Sequence, residues 1–187
     1  MKTFKILDLM VPLSEYATVG DDASLYDAVM ALEKAQEKYL YKHSQYRHRA
    51  ILVLDEKGKV IGKVSQVDVL RALEPKYKDI LEGRGLRGVG FSKKFLKTML
   101  KDYVLFDSPL HDICRKASEQ PVARFMETPT EGEIISETAT LDEAIHQFVI
   151  GHHQSLLVTR GEDIIGILRL TDVFTAVFHM MKECKLN

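Results

Sequence analysis

The chain has 187 residues, of which 45% are hydrophobic, and it carries 26 basic and 27 acidic side chains. This composition is typical of a soluble globular protein with one compact domain or two small ones. The near-zero net charge gives no general argument for nucleic acid or a membrane surface as a partner, and no apolar run approaches the roughly 20 residues of a membrane span. Cys114 and Cys184 form no motif and no secretory signal is visible, so we expect a cytoplasmic protein.

The sequence contains an internal repeat. Residues 8–32 align without a gap with residues 124–148, and residues 60–73 align with residues 164–177. The identical pairs include Met10 and Met126, Glu15 and Glu131, Gly62 and Gly166, and Asp68 and Asp172. Two copies of one unit predict two halves packed about a pseudo-twofold axis, with equivalent clefts at their junction.

The first copy is predicted to have the order strand, helix, strand, strand, helix. Ser24 is a predicted helix N-cap with Asp27 three residues later, and apolar residues then recur at helical spacing. A turn that contains Gly58 favours a hairpin. The predicted elements are a strand at 17–19, a helix from Ser24 that residues 33–46 extend, strands at 50–54 and 60–64, and a helix at 66–73.

Residues 75–121 form an insertion between the copies. Helices are predicted from Lys76, over 91–105 and over 108–118. Residues 83–90 match the letters of a dinucleotide-binding fingerprint, but that fingerprint must follow a strand, and here a charged helical segment precedes it. We therefore predict a hinge or lid, in which Arg84 and Arg87 are candidate phosphate contacts.

The insertion also carries a row of lysines on the face of its central helix opposite the apolar side. They are Lys93, Lys94, Lys97 and Lys101. Nucleic-acid binding would need a broader basic patch or aromatic stacking platforms. We therefore expect a solvated face and no nucleic-acid partner.

The second copy repeats the order of the first. Thr140 and Glu143 form a predicted capping box at the start of its first helix. The predicted elements are a strand at 134–135, the helix from Thr140, strands at 156–159 and 164–168, and a helix at 171–182. That last helix is amphipathic, with Phe174, Val177, Phe178 and Met181 on one face.

This order, together with the phrases at 60–70 and 164–174, resembles the CBS domain. Met10 and Met126 also look like the opening of that family's unit. The resemblance implies an α/β (α+β) fold in which two β-α-β-β-α motifs, 1–74 and 122–187, pack about a pseudo-twofold axis with a helical insertion at 75–121. Such tandem pairs are often called Bateman modules.

The resemblance also implies a regulatory module rather than an enzyme. Family members bind adenosine-containing ligands, such as AMP, ADP, ATP or S-adenosylmethionine, in clefts between the copies, and they commonly form homodimers. No catalytic nucleophile, metal-ligand set or phosphate-binding loop appears in the sequence. The resemblance thus implies three partners, which are an adenosyl ligand, a second copy of the chain and an unidentified regulated protein. We expect no membrane partner. A degenerate pair that acts only in dimerisation or protein interaction is the alternative.

The family's ligand motif is intact in the first copy as Gly62, Ser65 and Asp68. The Asp68 carboxylate suits both ribose hydroxyls, and phosphates would lie near the following helix N-terminus. A Ser-x-x-Asp sequence is also a helix-capping motif, so a purely structural role is open.

The second copy departs from the motif. Arg169 replaces the hydroxyl residue, Thr171 lies two residues later, and Asp172 is retained. Arg169 could contact a phosphate, or it could pair with Asp172 and close the site.

The remaining candidate contacts lie beside the strands. The resemblance places adenine in an apolar slot against Val19 or Ile135, although both positions also fit a plain strand core. Basic residues before the second strand of each copy would reach phosphates or simply face solvent; these are Arg47, His48, Arg49, His152 and His153.

Overall fold

The structure is a computed structural model that describes residues 4–40, 48–84 and 91–184; the side chains of residues 38–40 and 81–84 are not described. The first copy has the predicted order, preceded by a short helix and a short strand. Its elements are α1 (Ile6–Leu9), β1 (Val11–Pro12), β2 (Thr18–Gly20), α2 (Leu25–Leu40), β3 (Ala50–Leu54), β4 (Val60–Ser65) and α3 (Gln66–Ala72).

The insertion and the second copy follow. The described part of the insertion contains α4 (Lys76–Arg84), α5 (Lys93–Asp102) and α6 (Leu110–Ser118). The second copy contains β5 (Ile134–Ser136), α7 (Leu141–Gly151), β6 (Ser155–Arg160), β7 (Asp163–Arg169) and α8 (Leu170–Glu183). The predicted mixed α/β fold of two repeated units is thus confirmed.

The predicted helix caps form in both copies. The Ser24 N–H donates to the Asp27 carboxylate at 3.0 Å, and the Asp27 N–H donates back to Ser24 Oγ at 3.1 Å. The Thr140 N–H donates to Glu143 at 2.7 Å in the same way. These bonds satisfy N–H groups that have no partner within the helix, which fixes where α2 and α7 begin.

The two sheets exchange their edges. One sheet has the order β2-β3-β4, and the other has the order β1-β7-β6-β5. Strand β1 belongs by sequence to the first copy, yet Val11 lies opposite Ile167 on β7. Reciprocally, Glu127, the repeat counterpart of Val11, bridges to Lys63 on β4. Each copy therefore lends its opening segment to the other, as a pseudo-twofold axis requires.

The glycine of each motif makes room for this exchange. A Cβ on Gly62 would lie 2.5 Å from the Met126 sulfur, and a Cβ on Gly166 would lie 2.5 Å from the Val11 carbonyl oxygen. Close packing of the other copy's opening segment therefore explains both glycines without a ligand.

The hydrophobic cores follow the same exchange. Met126 packs against the core of the first copy, and Ile6 and Met10 belong to the core of the second. A third cluster joins the two sheets through Val11, Tyr16, Leu52, Leu157 and Ile167. Since each unit of about 60 residues is too small to bury a large core alone, sharing elements lets the pair complete both cores.

Most of the predicted apolar stripe of α8 faces away from the core. Phe174 is 63% exposed and Met181 is 66% exposed, whereas Val173 and Ala176 are buried. Phe174 and Phe178 stack on each other at the surface. The amphipathic pattern thus identifies an outer apolar face on this helix.

The insertion is anchored at Glu74, which is buried. Its carboxylate accepts from the Phe106 N–H at 2.7 Å and from the Lys76 N–H at 3.2 Å. Lys76 Nζ donates to the Val104 carbonyl at 2.7 Å. Val104 and Phe106 have φ values of 48° and 56°, so the helix predicted over 91–105 ends at Asp102.

Two predicted features lie partly outside the described residues. The extension of the first helix is described to Leu40, and residues 41–46 of it are not described. The glycine-rich hinge with Arg87 lies outside at residues 85–90, and the Arg84 side chain is not described.

Candidate functional site

A cleft of about 340 Å³ lies between the two copies. Both motif turns line it, where β4 passes into α3 and where β7 passes into α8. Ser65 and Val67 come from the first turn, and Arg169 and Thr171 come from the second. The cleft is therefore the place where the repeat brings its two motifs together.

The first motif is held by a capping box at the start of α3. The Ser65 N–H and hydroxyl donate to Asp68 Oδ2 at 2.8 and 2.6 Å, and the Asp68 N–H donates to Ser65 Oγ at 3.3 Å. Arg71 Nη1 donates to Asp68 Oδ1 at 2.7 Å. Asp68 is only 4% exposed. The capping role is thus present, and both carboxylate oxygens already accept hydrogen bonds.

Two ion pairs cross from the first motif to the second copy. Arg71 Nη1 lies 3.0 Å from Glu127, and Lys63 pairs with Glu133. Burial alone would raise the pKa of Glu133, but hydrogen bonds from Lys63 and the Thr130 backbone hold that pKa below its usual value. The first half of the cleft is therefore polar and charged, and its charges tie the copies together.

In the second motif the arginine pairs with the aspartate. Arg169 Nε and Nη2 each donate to one Asp172 carboxylate oxygen at 2.6 Å. The two side chains are 6% and 13% exposed. A bidentate pair of this kind is strong and directional. Of the two roles predicted for Arg169, the structure shows the pairing with Asp172.

Tyr16 fills the second half of the cleft. Its side chain is buried and its ring centroid lies 4.4 Å from that of His48. Burial raises the pKa of Tyr16 to about 12, although the nearby Arg169 guanidinium opposes the shift. Burial also lowers the pKa of His48 to about 4, and Arg169 adds to that effect. His48 is therefore neutral at pH 7 and lies inside the protein instead of facing a phosphate.

The repeat places Gly132 at the position of Tyr16. Gly132 is exposed, and His153 is the nearest side chain to it. The first half of the cleft thus has no side chain where the second half has a phenol ring. Sequence reasoning missed Tyr16, although the alignment of 8–32 with 124–148 already contained the Tyr–Gly difference.

Besides Lys63, Arg71 and Arg169, three further basic side chains line the cleft. Arg49 and His152 are exposed, and His153 is half-buried. Within the described part of the chain, the Arg49 guanidinium has no ion-pair partner. Arg47 lies outside the described residues.

The other predicted contacts lie elsewhere. Val19 packs against the first core and Ile135 is buried in the second, so neither lines the cleft. Both occupy the strand-core positions that were the alternative to an adenine slot. Gly62 is buried on β4 against Met126. Lys63, Arg71 and Glu127 were not predicted as site residues, because their ion pairs across the two copies join residues far apart in the sequence.

Within residues 4–40, 48–84 and 91–184, no group of three or more His, Cys, Asp or Glu side chains could hold a metal ion. No helix among them is long and apolar enough to cross a membrane.

Comparison with known proteins agrees with this architecture. The sequence model of the CBS domain matches residues 6–75 and 122–179. No curated sequence matches the chain. Similar solved structures include CBSX2 in complex with AMP, at 18% identity and a TM-score of 0.59 over 95% of this chain and 98% of that one.

A CBS-domain containing protein from Agrobacterium tumefaciens is 20% identical, with a TM-score of 0.57 over 95% of both chains. A putative acetoin utilization protein from Vibrio cholerae is 18% identical, with a TM-score of 0.58 over 97% of this chain and 95% of that one. At these identities the structural likeness concerns the fold alone. Since the family match covers both repeats, the chain belongs to the CBS domain family and is a tandem CBS pair, a regulatory module.

Proposed function

We propose that this CBS pair senses an adenosine-containing ligand, such as AMP, ADP, ATP or an S-adenosylmethionine-like molecule, and binds one molecule per chain. The site is the half of the cleft built on Ser65 and Asp68. The observation that carries the proposal is the asymmetry of the cleft. This half has the exposed Gly132 where the other half has the buried Tyr16, and in the other half Arg169 is paired with Asp172. The solved complex of CBSX2 with AMP, which shares the fold, supports this ligand class.

Binding at Asp68 proceeds by exchange of partners. Arg71 is 38% exposed and holds both Asp68 and Glu127. It can therefore release Asp68 Oδ1 to ribose hydroxyls while it keeps Glu127. The basic side chains of Arg49, His152 and His153 lie around the same cleft and offer contacts to phosphate oxygens.

The same exchange supplies a regulatory mechanism. The Arg71–Glu127 and Lys63–Glu133 pairs join the two copies. A ligand that competes for Arg71 or Lys63 binds more tightly to an arrangement in which these pairs are loosened. Because a ligand shifts an equilibrium only through such a difference in affinity, the relative position of the copies is the property that it changes.

The pair is also proposed to form a homodimer. Exposed apolar residues lie on α3 and α8; they are Val67, Leu70, Phe174, Phe178 and Met181. Apolar patches of this kind on a soluble protein mark interaction surfaces.

A second candidate function is a dimerisation or protein-interaction module that binds no nucleotide. It is favoured by the carboxylates of both motifs, since both oxygens of Asp68 and of Asp172 already accept hydrogen bonds within the chain.

Thermal unfolding with AMP, ADP, ATP and S-adenosylmethionine distinguishes the two functions. A ligand at 100 times its Kd stabilises the native state by about 2.7 kcal/mol, so the sensor predicts a dose-dependent rise in Tm for at least one of them. Asp68→Asn should abolish the rise. The control is Asp142→Asn, which makes the same charge change at an exposed position on α7. No rise with any ligand, in a protein that remains dimeric, would establish the interaction module instead.

A further inference from the structure

The insertion helix α5 is sharply amphipathic. Lys93, Lys97 and Lys101 follow one another at four-residue intervals and so form one ridge along the helix. Leu96 and Leu100 form the neighbouring ridge, three residues away from the lysines. Leu96 and Leu100 thus lie at the edge of the apolar side, and the lysine row is adjacent to that edge and not wholly opposite the apolar side as expected.

The body of the protein does not cover this face. No residue of α5 is buried, and Leu96 and Leu100 are 48% and 45% exposed. The apolar exposure continues past the end of the helix at Val104, Phe106 and Leu110, which are 59%, 40% and 58% exposed. An amphipathic helix usually gains its stability by burying its apolar face, so this face lacks a partner within the described part of the chain.

The charge beside that face is of one sign. None of Lys93, Lys94, Lys97 and Lys101 forms a salt bridge with another described residue, and Asp102 is the one acidic side chain on α5. The whole chain has a net charge of only −1, so the positive field is local to this helix. It acts over about one Debye length, roughly 8 Å at physiological salt.

We propose that α5 is a peripheral docking helix for an anionic lipid surface. The leucine row enters the boundary between headgroups and acyl chains, and the lysines reach along it to the negatively charged headgroups, as in helices that lie in the membrane plane. The expectation of no membrane partner rested on the near-zero net charge of the whole chain and on the length of apolar runs. A net charge does not reveal a local cluster such as the lysines of α5. That length tests only for helices that span the bilayer.

The composition of the face favours lipid over the other occupants. Lysine is a flexible point charge that suits diffuse negative charge, and α5 has none of the planar arginine forks that recognise phosphate or carboxylate groups one at a time. Single-stranded nucleic acid would make no use of the leucine row, since it binds through aromatic stacking.

The test is co-sedimentation of the full chain with vesicles of phosphatidylcholine alone and of phosphatidylcholine with about 30% phosphatidylserine. We expect binding only to the anionic vesicles and loss of binding at about 0.5 M salt. The variant Lys93→Gln/Lys97→Gln/Lys101→Gln should weaken binding roughly 100-fold, because each lysine near an anionic surface contributes about a factor of five.

Two further variants keep the result interpretable. Lys34→Gln/Lys57→Gln/Lys59→Gln makes the same charge change at exposed positions outside α5 and should bind like the wild type. Leu96→Ser/Leu100→Ser keeps every lysine and should lose at least tenfold in affinity. Circular dichroism shows whether both α5 variants keep the wild-type fold.

Absence of binding to anionic vesicles overturns the proposal, as does equal binding to both vesicle types. Equal weakening by the two lysine variants assigns the effect to net charge and also overturns it. If the wild type is a dimer that does not bind vesicles, and Leu96→Ser/Leu100→Ser dissociates that dimer, the face binds a second copy of the chain instead. Salt-sensitive binding of single-stranded RNA without vesicle binding assigns it to nucleic acid.

Discussion

The two halves of the cleft share one backbone plan and differ in what fills it. At the Ser or Thr position of the motif, the first half has Ser65 and the second half has Arg169. At the position just before the first strand of each copy, the first half has Gly132 and the second half has Tyr16. The same fold therefore accommodates an exposed glycine and a buried tyrosine at equivalent positions, and we propose that these residues decide which half can bind a ligand. A functional conclusion for this protein must rest on those residues, since the family's fold is common to both halves.

The contacts between the copies show the same asymmetry. The Lys63–Glu133 and Arg71–Glu127 pairs lie at the first half. In the second half, the repeat counterparts of Lys63 and Glu133 are Ile167 and Ala17, and those of Arg71 and Glu127 are Thr175 and Val11. The Arg71 side chain is 38% exposed, so a ligand can compete for the Arg71–Glu127 pair more easily than it can open an apolar contact. We therefore expect a ligand to act on the junction between the copies from the first half.

The largest expected effect comes from breaking the closed motif. Asp172→Ala removes the bidentate partner of Arg169, which is 5% exposed, and should lower the free energy of unfolding by about 3–5 kcal/mol. Asp68→Ala should lower the free energy of unfolding by only about 1–2 kcal/mol, because Arg71 still pairs with Glu127 and is partly exposed to solvent. The main loss is then the helix cap at the start of α3. Urea denaturation measures both values. Equal losses would contradict the asymmetry.

The buried His48 predicts a pH dependence that belongs to the filled half. In the unfolded chain the His48 imidazole takes up a proton near pH 6.5, whereas burial lowers the pKa of His48 in the folded protein to about 4. The unfolded state therefore binds more protons between these values, and stability falls as pH is lowered through that window, by up to about 3 kcal/mol. The measurement is urea denaturation from pH 7 to pH 4.

The variant His48→Phe keeps a ring against Tyr16 and removes the titrating group, so it should flatten the dependence between pH 6.5 and pH 5. His179→Phe, at an exposed position on α8, is the matched control. If His48→Phe left the dependence of the free energy of unfolding on pH unchanged, His48 would not be the group responsible.

A smaller difference is expected between the two motif glycines. Gly166→Ala meets the Val11 carbonyl of the backbone and should cost about 2–3 kcal/mol, whereas Gly62→Ala meets the flexible Met126 side chain and should cost about 1 kcal/mol. Thermal unfolding of both variants checks the order. The reverse order would mean that the opening segment of the second copy is the more rigid one.

The repeat in the sequence was sufficient to predict the fold. Helix caps such as Thr140–Glu143 and the Gly58 turn are local signals, and the structure places them as predicted. The exchange of β1 onto β7 was not predictable from local patterns, because the pairing of Val11 with Ile167 joins residues far apart in the chain.

The candidate site was predictable only in part. Ser65, Asp68, Arg169 and Asp172 lie in the motif phrases, and the sequence already gave the two roles open to Arg169. It could not decide between them, because the choice depends on burial beside Tyr16. Val19 and Ile135 show a different difficulty. An apolar strand residue has the same sequence pattern whether it lines an adenine-binding slot or packs in the hydrophobic core.

The most direct test of the account is the stoichiometry of AMP binding by isothermal titration calorimetry. The wild type should bind one AMP per chain, and Asp68→Asn should bind none. Tyr16→Gly/Arg169→Ser gives the second half the residues of the first, frees Asp172, and should raise the stoichiometry to two. Two molecules per chain in the wild type, or a single site that survives Asp68→Asn, would contradict the assignment of one open and one filled half-site.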